Sequence, residues 1–143
     1  MKKCIILFFA IVFLYGCGAP KKFAGYSTLH FQRETVGRFE TVIDLPAHRI
    51  FRKNIDVVET NHARVLFTNR RRMFVVASHF RNVYQYSLDS TEIGMFITPL
   101  EDGTYKVEVI SNNSRLARAF SELLFEELRI IEERDIARRQ RQN

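Results

Sequence analysis

Cysteine is nearly absent from this chain. The only two are Cys4 and Cys17, so no disulfide can form within residues 18–143. Whatever folds there must rest on apolar burial rather than on cross-links. Ready-made catalytic signatures are missing as well: the sequence has no Gly-x-Ser-x-Gly elbow, no Gly-rich phosphate loop and no His-Glu-x-x-His helix. Its histidines, His30, His48, His62 and His79, are scattered without the spacing or the Cys and Asp company of a metal site. They read as surface residues, and nothing calls for a metal or cofactor. Internal repeats are absent, and the one uncharged apolar run, residues 5–15, is too short for a bilayer core, which takes about 20 residues.

That short run has a recognisable setting. Lys2 and Lys3 precede it, and the small residue Gly16 follows it directly before Cys17. A charged start, an apolar stretch and a small residue at the cut make a secretory signal. The end of the run, Leu14-Tyr15-Gly16-Cys17, resembles the lipobox of bacterial lipoproteins. The resemblance implies cleavage between Gly16 and Cys17, a diacylglyceryl group on the Cys17 sulfur and acylation of the freed amine, with palmitate among the expected chains. Gly18, in the position where Asp would favour inner-membrane retention, implies the outer membrane, with the domain on its periplasmic face. Two or three acyl chains hold firmly where one binds reversibly, because each buried methylene adds about 0.8 kcal/mol.

Removing residues 1–16 takes away Lys2, Lys3 and no acid, leaving 127 residues with a net charge of +4. That length suits one domain. With 46% hydrophobic residues and thirteen Phe, the chain can build a core. The modest basic excess reads as a mixed-charge surface, not as the one-sided footprint of a nucleic-acid binder.

Residues 17–37 read as a lipid-anchored tether. The stretch Gly18-Ala19-Pro20-Lys21-Lys22 has little to bury, and residues 26–36 suggest an edge strand or extended arm. Lys21 and Lys22 lie close enough to the lipid to favour anionic headgroups, by about 1 kcal/mol each. A single domain is expected over 38–136. Phe39, Thr41, Ile43 and Leu45 alternate with polar positions as in a half-buried strand, and Pro46 suits the first position of a helix ending near Thr60 and Asn61. Strands follow over 64–68, 73–78, 83–88, 92–98 and 104–110, with Asn69 to Arg72 a turn, Asp102-Gly103 a hairpin turn and Gly94 a bulge or bend. Asn112, Asn113 and Ser114 offer caps for a long last helix. Its stripe is Leu116, Ala119, Phe120, Leu123, Leu124, Ile130 and Ile131, with Phe125 and Leu128 off centre. A basic, fraying tail covers 137–143.

The order β-α-β-β-β-β-α gives an α+β fold: an antiparallel sheet of about five strands with two helices on one face. Pro46-Ala47-His48-Arg49-Ile50-Phe51 after a strand resembles the helix opening of helix-grip domains of the START and Bet v 1 type. The element order is also similar to that of small uncharacterised bacterial envelope lipoproteins. The helix-grip resemblance implies a carrier of an apolar small molecule or lipid. Such a carrier needs a cavity of several hundred Å3, on the order usual for ligand sites, between sheet and last helix. The space is lost if Phe39, Phe51, Phe74 and Phe96 fill it.

Arg70, Arg71 and Arg72 are the densest charge outside the tail. Their guanidinium forks suit phosphates of lipopolysaccharide or of another acidic envelope polymer, while a hairpin loop kept soluble is the commoner reason for such a turn. The function expected is non-catalytic: a lipoprotein held to the membrane through Cys17, whose domain meets an envelope protein or acidic envelope polymer by its exposed sheet edge, the Arg70 to Arg72 turn or the basic tail.

Overall fold

The structure is a computed structural model that describes residues 37–80, 83 and 91–142. The signal, Gly16, Cys17, the tether, the 26–36 arm, His30 and all of the expected 83–88 strand except Val83 lie outside the described residues. The described residues all belong to one compact unit, 31–143.

Seven elements follow in order: β1 (Gly37–Ile43), α1 (Ala47–Thr60), β2 (Arg64–Asn69), β3 (Phe74–Ser78), β4 (Ile93–Pro99), β5 (Tyr105–Ser111) and α2 (Ser114–Gln142). Every strand pairing is antiparallel and the sheet order is β1-β5-β4-β3-β2, so the first strand closes beside the last. The expected α+β architecture is the one observed.

Alternation decides which side chains meet the helices. Val75, Ala77, Met95, Val107 and Val109 from the strands join Ile50, Phe51, Val58, Leu116, Phe120, Leu124 and Leu128 from α1 and α2 in one buried core. Phe80, just past β3, completes it with an edge-on contact to Phe120 at 5.1 Å. Both helices therefore lie on the same face. Phe74, Val76, Phe96 and Ile110 form a second, smaller cluster on the opposite face. Phe74 and Phe96 thus do not fill the space between sheet and helix, because they occupy the other parity of their strands.

Several local expectations are corrected. Pro46 is the N-cap of α1 rather than its first helical residue: its ψ of 134° is extended, and its carbonyl accepts the Arg49 and Ile50 amides. Gly94 carries no bulge; it stands in regular register between Val76 and Ile110. The irregularity falls instead in β2, between Val65 and Phe67. An edge strand held by one neighbour yields where a central strand held by two does not. In α2 the buried stripe is Leu116, Ala117, Phe120, Ser121, Leu124 and Leu128, while Leu123 is 40% exposed. The stripe is thus rotated from the one drawn through Leu123 and Ile130. Finally, α2 runs to Gln142, so residues 137–142 are helical rather than frayed.

What extends α2 is a set of polar ties to the β1–α1 corner. Arg49 pairs with Asp135, Arg139 reaches Asp44 at 3.5 Å, and the Asp44 amide donates to Glu132. At the other end Asn113 caps α2, its side-chain oxygen accepting the Leu116 amide at 3.1 Å.

Candidate functional site

The β2–β3 hairpin carries the strongest unassigned chemistry. Asn69 and Phe74 pair at its neck, leaving Arg70, Arg71, Arg72 and Met73 as the loop. Asn69 shapes it: its side-chain oxygen accepts the Arg72 amide at 3.0 Å, the local bond that makes Asn favoured in turns. Met73 closes the loop with φ of 50°, a left-handed conformation uncommon for such a side chain. The Met73 carbonyl then accepts the Ile97 amide at 2.9 Å, fastening the loop exit to β4.

All three arginines are exposed. None takes part in an ion pair among the described residues, whereas Arg38, Arg49, Lys53, Lys106 and Arg139 each reach a carboxylate. The sequence around them offers none either: between Glu59 and Asp89 there is no acid at all. The hairpin is therefore a cationic unit with no internal neutralisation.

Beside the arginines lie the exposed apolar residues Leu66 (44%) and Phe67 (42%) of β2. The register shift at Leu66 puts Phe67 opposite Val76, on the face away from the helices. There Phe67 stacks on Phe74 at 5.6 Å, and Phe74 in turn meets Phe96 at 5.8 Å. Strict alternation from Val65 would have turned Phe67 inward, so its exposure was hidden from the sequence. The acid-free stretch was the available signal for the rest.

Strand direction places this hairpin in the fold. The β2–β3 and β4–β5 turns and the end of β1 share one end of the sheet, and Gly37, paired with Ser111, starts β1 at the other. The β4–β5 turn has its own chemistry. Gly103 adopts φ of 85°, and Asp102 accepts the Thr104 hydroxyl at 2.6 Å and its amide at 3.0 Å. The hydroxyl bond, then the amide bond, lowers the Asp102 carboxyl below its ordinary range.

Other clusters are better explained by structure. Glu108 is only 9% exposed and is answered by Arg38 of β1 at 3.7 Å and Lys106 of β5 at 3.4 Å. Ser78 and His79 bond at 2.7 Å, yet among the described residues no carboxylate is bonded to the pair as an orienting third member would be. His48 and His62 are exposed. No group of three or more His, Cys, Asp or Glu able to hold a metal occurs among the described residues. No described helix is long and apolar enough to cross a membrane.

The space between sheet and α2 is filled by Met95, Val109, Leu116, Phe120, Leu124 and Leu128. Phe51 joins that core, while Phe39 is half-buried under Arg118, whose guanidinium stands 5.6 Å from the ring centre. Clefts of about 480 and 400 Å3 run along α2. Their walls include Phe125, Arg129 and Ile130 in one and Phe39, Arg115 and Arg118 in the other, and none of the core side chains. Asn54, which no sequence pattern marked, is fully buried in α1 with neither amide atom hydrogen-bonded to any described residue.

Neither protein-family models nor curated proteins match this chain.

Proposed function

We propose that this chain is a lipid-anchored cell-envelope lipoprotein whose α+β domain is a non-catalytic interaction or structural module. The observation that carries the reading is Leu14-Tyr15-Gly16-Cys17 at the end of a charged-then-apolar leader. Cys17 becomes the acylated first residue, the anchor sits in the outer membrane, and the domain works on its periplasmic face. The partner is an envelope protein or an acidic envelope polymer, received by Arg70, Arg71 and Arg72. Exposure of all three, and the lack of any carboxylate paired to them among the described residues, support that role.

Intact mass of the membrane-extracted protein tests the anchor. A chain beginning at an acylated Cys17 is expected, and Cys17→Ser should leave the precursor uncleaved and unlipidated. Normal lipidation and sorting of that variant would sink the proposal.

A further inference from the structure

We infer that the β2–β3 hairpin docks on an anionic lipid surface, with Arg70, Arg71 and Arg72 among the phosphates and Leu66 and Phe67 in the interfacial layer. This rests on the reading of the arginine turn as an anion-binding site, puts a lipid surface in the place of the acidic polymer as the anion, and is independent of the lipid on Cys17.

Three features of the hairpin point to a bilayer rather than to a polymer in water. A loop that serves only solubility mixes both signs of charge, yet here three arginines stand together with no acid from residue 60 to residue 88. Guanidinium groups bind phosphate oxygens in pairs, so the tip suits a surface dense in phosphate. The exposed Leu66 and Phe67 adjoin that tip. A dissolved polyanion offers them nothing to bury, whereas the boundary between headgroups and acyl chains accepts apolar side chains beside a row of cations.

Orientation follows from the spacing. Phe67 precedes Arg70 by three residues, about 10 Å along an extended strand, so the hairpin must lie with β2 along the surface for its apolar pair and its arginines to reach the interfacial layer together. Depth is limited by the backbone. β2 is an edge strand whose outer amides and carbonyls have no sheet partner among the described residues, and such groups cannot enter hydrocarbon without large cost. The hairpin therefore rests in the headgroup region and does not insert.

The test uses the full chain carried in phosphatidylcholine nanodiscs on a sensor surface, over which vesicles of phosphatidylcholine with or without phosphatidylglycerol are passed. Selective retention of the anionic vesicles is expected. Each cation near such a surface is worth about a five-fold factor, so R70Q/R71Q/R72Q should weaken retention on the order of a hundred-fold. Leu66→Ser and Phe67→Ser, each checked for an unchanged circular dichroism spectrum, should weaken it several-fold. Equal retention of neutral vesicles, or full retention by the triple variant, overturns the proposal. So does retention indifferent to both serine variants, which assigns the arginines to a soluble polyanion. Intact mass of the same sample reports acylation of Cys17, so failure of the anchor and failure of the hairpin are read separately.

Discussion

A Cβ built on Gly37 would stand 2.6 Å from the Cα of Ser114, so the first residue of β1 and the first residue of α2 touch backbone to backbone. Only a glycine fits, because the atom it faces belongs to the main chain and cannot swing aside. Gly37→Ala should therefore cost about 1–3 kcal/mol, the usual range for overpacking a filled site. The check is urea unfolding: a fall in midpoint at constant slope is expected, and an unchanged midpoint would contradict the contact.

Asn54 should respond in the opposite direction. Its amide is fully buried and makes no hydrogen bond to any described residue, and an unmet polar group inside a core costs about 1–3 kcal/mol. Leucine has nearly the same branched outline without the polar atoms. Asn54→Leu is expected to raise stability by about that amount, read as a thermal midpoint several degrees higher, at roughly 4–8 °C per kcal/mol. A lower midpoint would mean that the amide has a partner.

The rotation of α2 can be tested by two truncations five residues apart. Leu128→Ala removes a fully buried side chain and should cost about 2–5 kcal/mol. Leu123→Ala removes one that is 40% exposed, and should change stability by about 0.5 kcal/mol or less. Equal losses would return the helix to the phase drawn from sequence.

Asp102 supplies a pH signature. The Thr104 hydroxyl and amide both favour its carboxylate, so its folded pKa lies below the unfolded one. A group shifted this way contributes stability above its unfolded pKa, and the contribution disappears as pH falls through the folded value. Thr104→Val removes the larger cause and should bring the Asp102 titration, followed by carboxyl-carbon NMR, upward toward the ordinary carboxylate range. A titration that does not move would show that the hydroxyl is not the cause.

Sequence pattern located all the described strands and both helices: β1 and β5 carry a period of two, β3 and β4 are short apolar runs, and each helix has a period near 3.6. Phe39 to Ile43 and Tyr105 to Ile110 were legible for that reason, and the Asp102-Gly103 turn because only special residues accept its geometry. Facing was harder to read. A run such as Phe74-Val75-Val76-Ala77 is apolar at every position, so alternation could not say that Val75 and Ala77 meet the helices while Phe74 and Val76 do not. In α2, Leu123 and Leu124 compete for the centre of one stripe, and packing against β1 and β5 decided for Leu124. The arginine cluster was plain in the sequence. Its neighbours Leu66 and Phe67 were not, since their exposure depends on one extra residue in an edge strand.

The sheet order sets a timetable for making this domain. Among the described residues β1 pairs with β5 alone, and its seven residues find partners 62 to 74 positions later in the chain. While ribosomal synthesis proceeds from α1 through β4, none of the described strands yet made is one that β1 bonds to. Closure of the sheet waits until β5 is complete, and the ties from Asp44 and Arg49 wait until Asp135 and Arg139 exist. Long-range pairing of this kind is slow to nucleate. A chain that cannot close early stays threadable late, the state that a polypeptide must keep if it is to be exported before it folds.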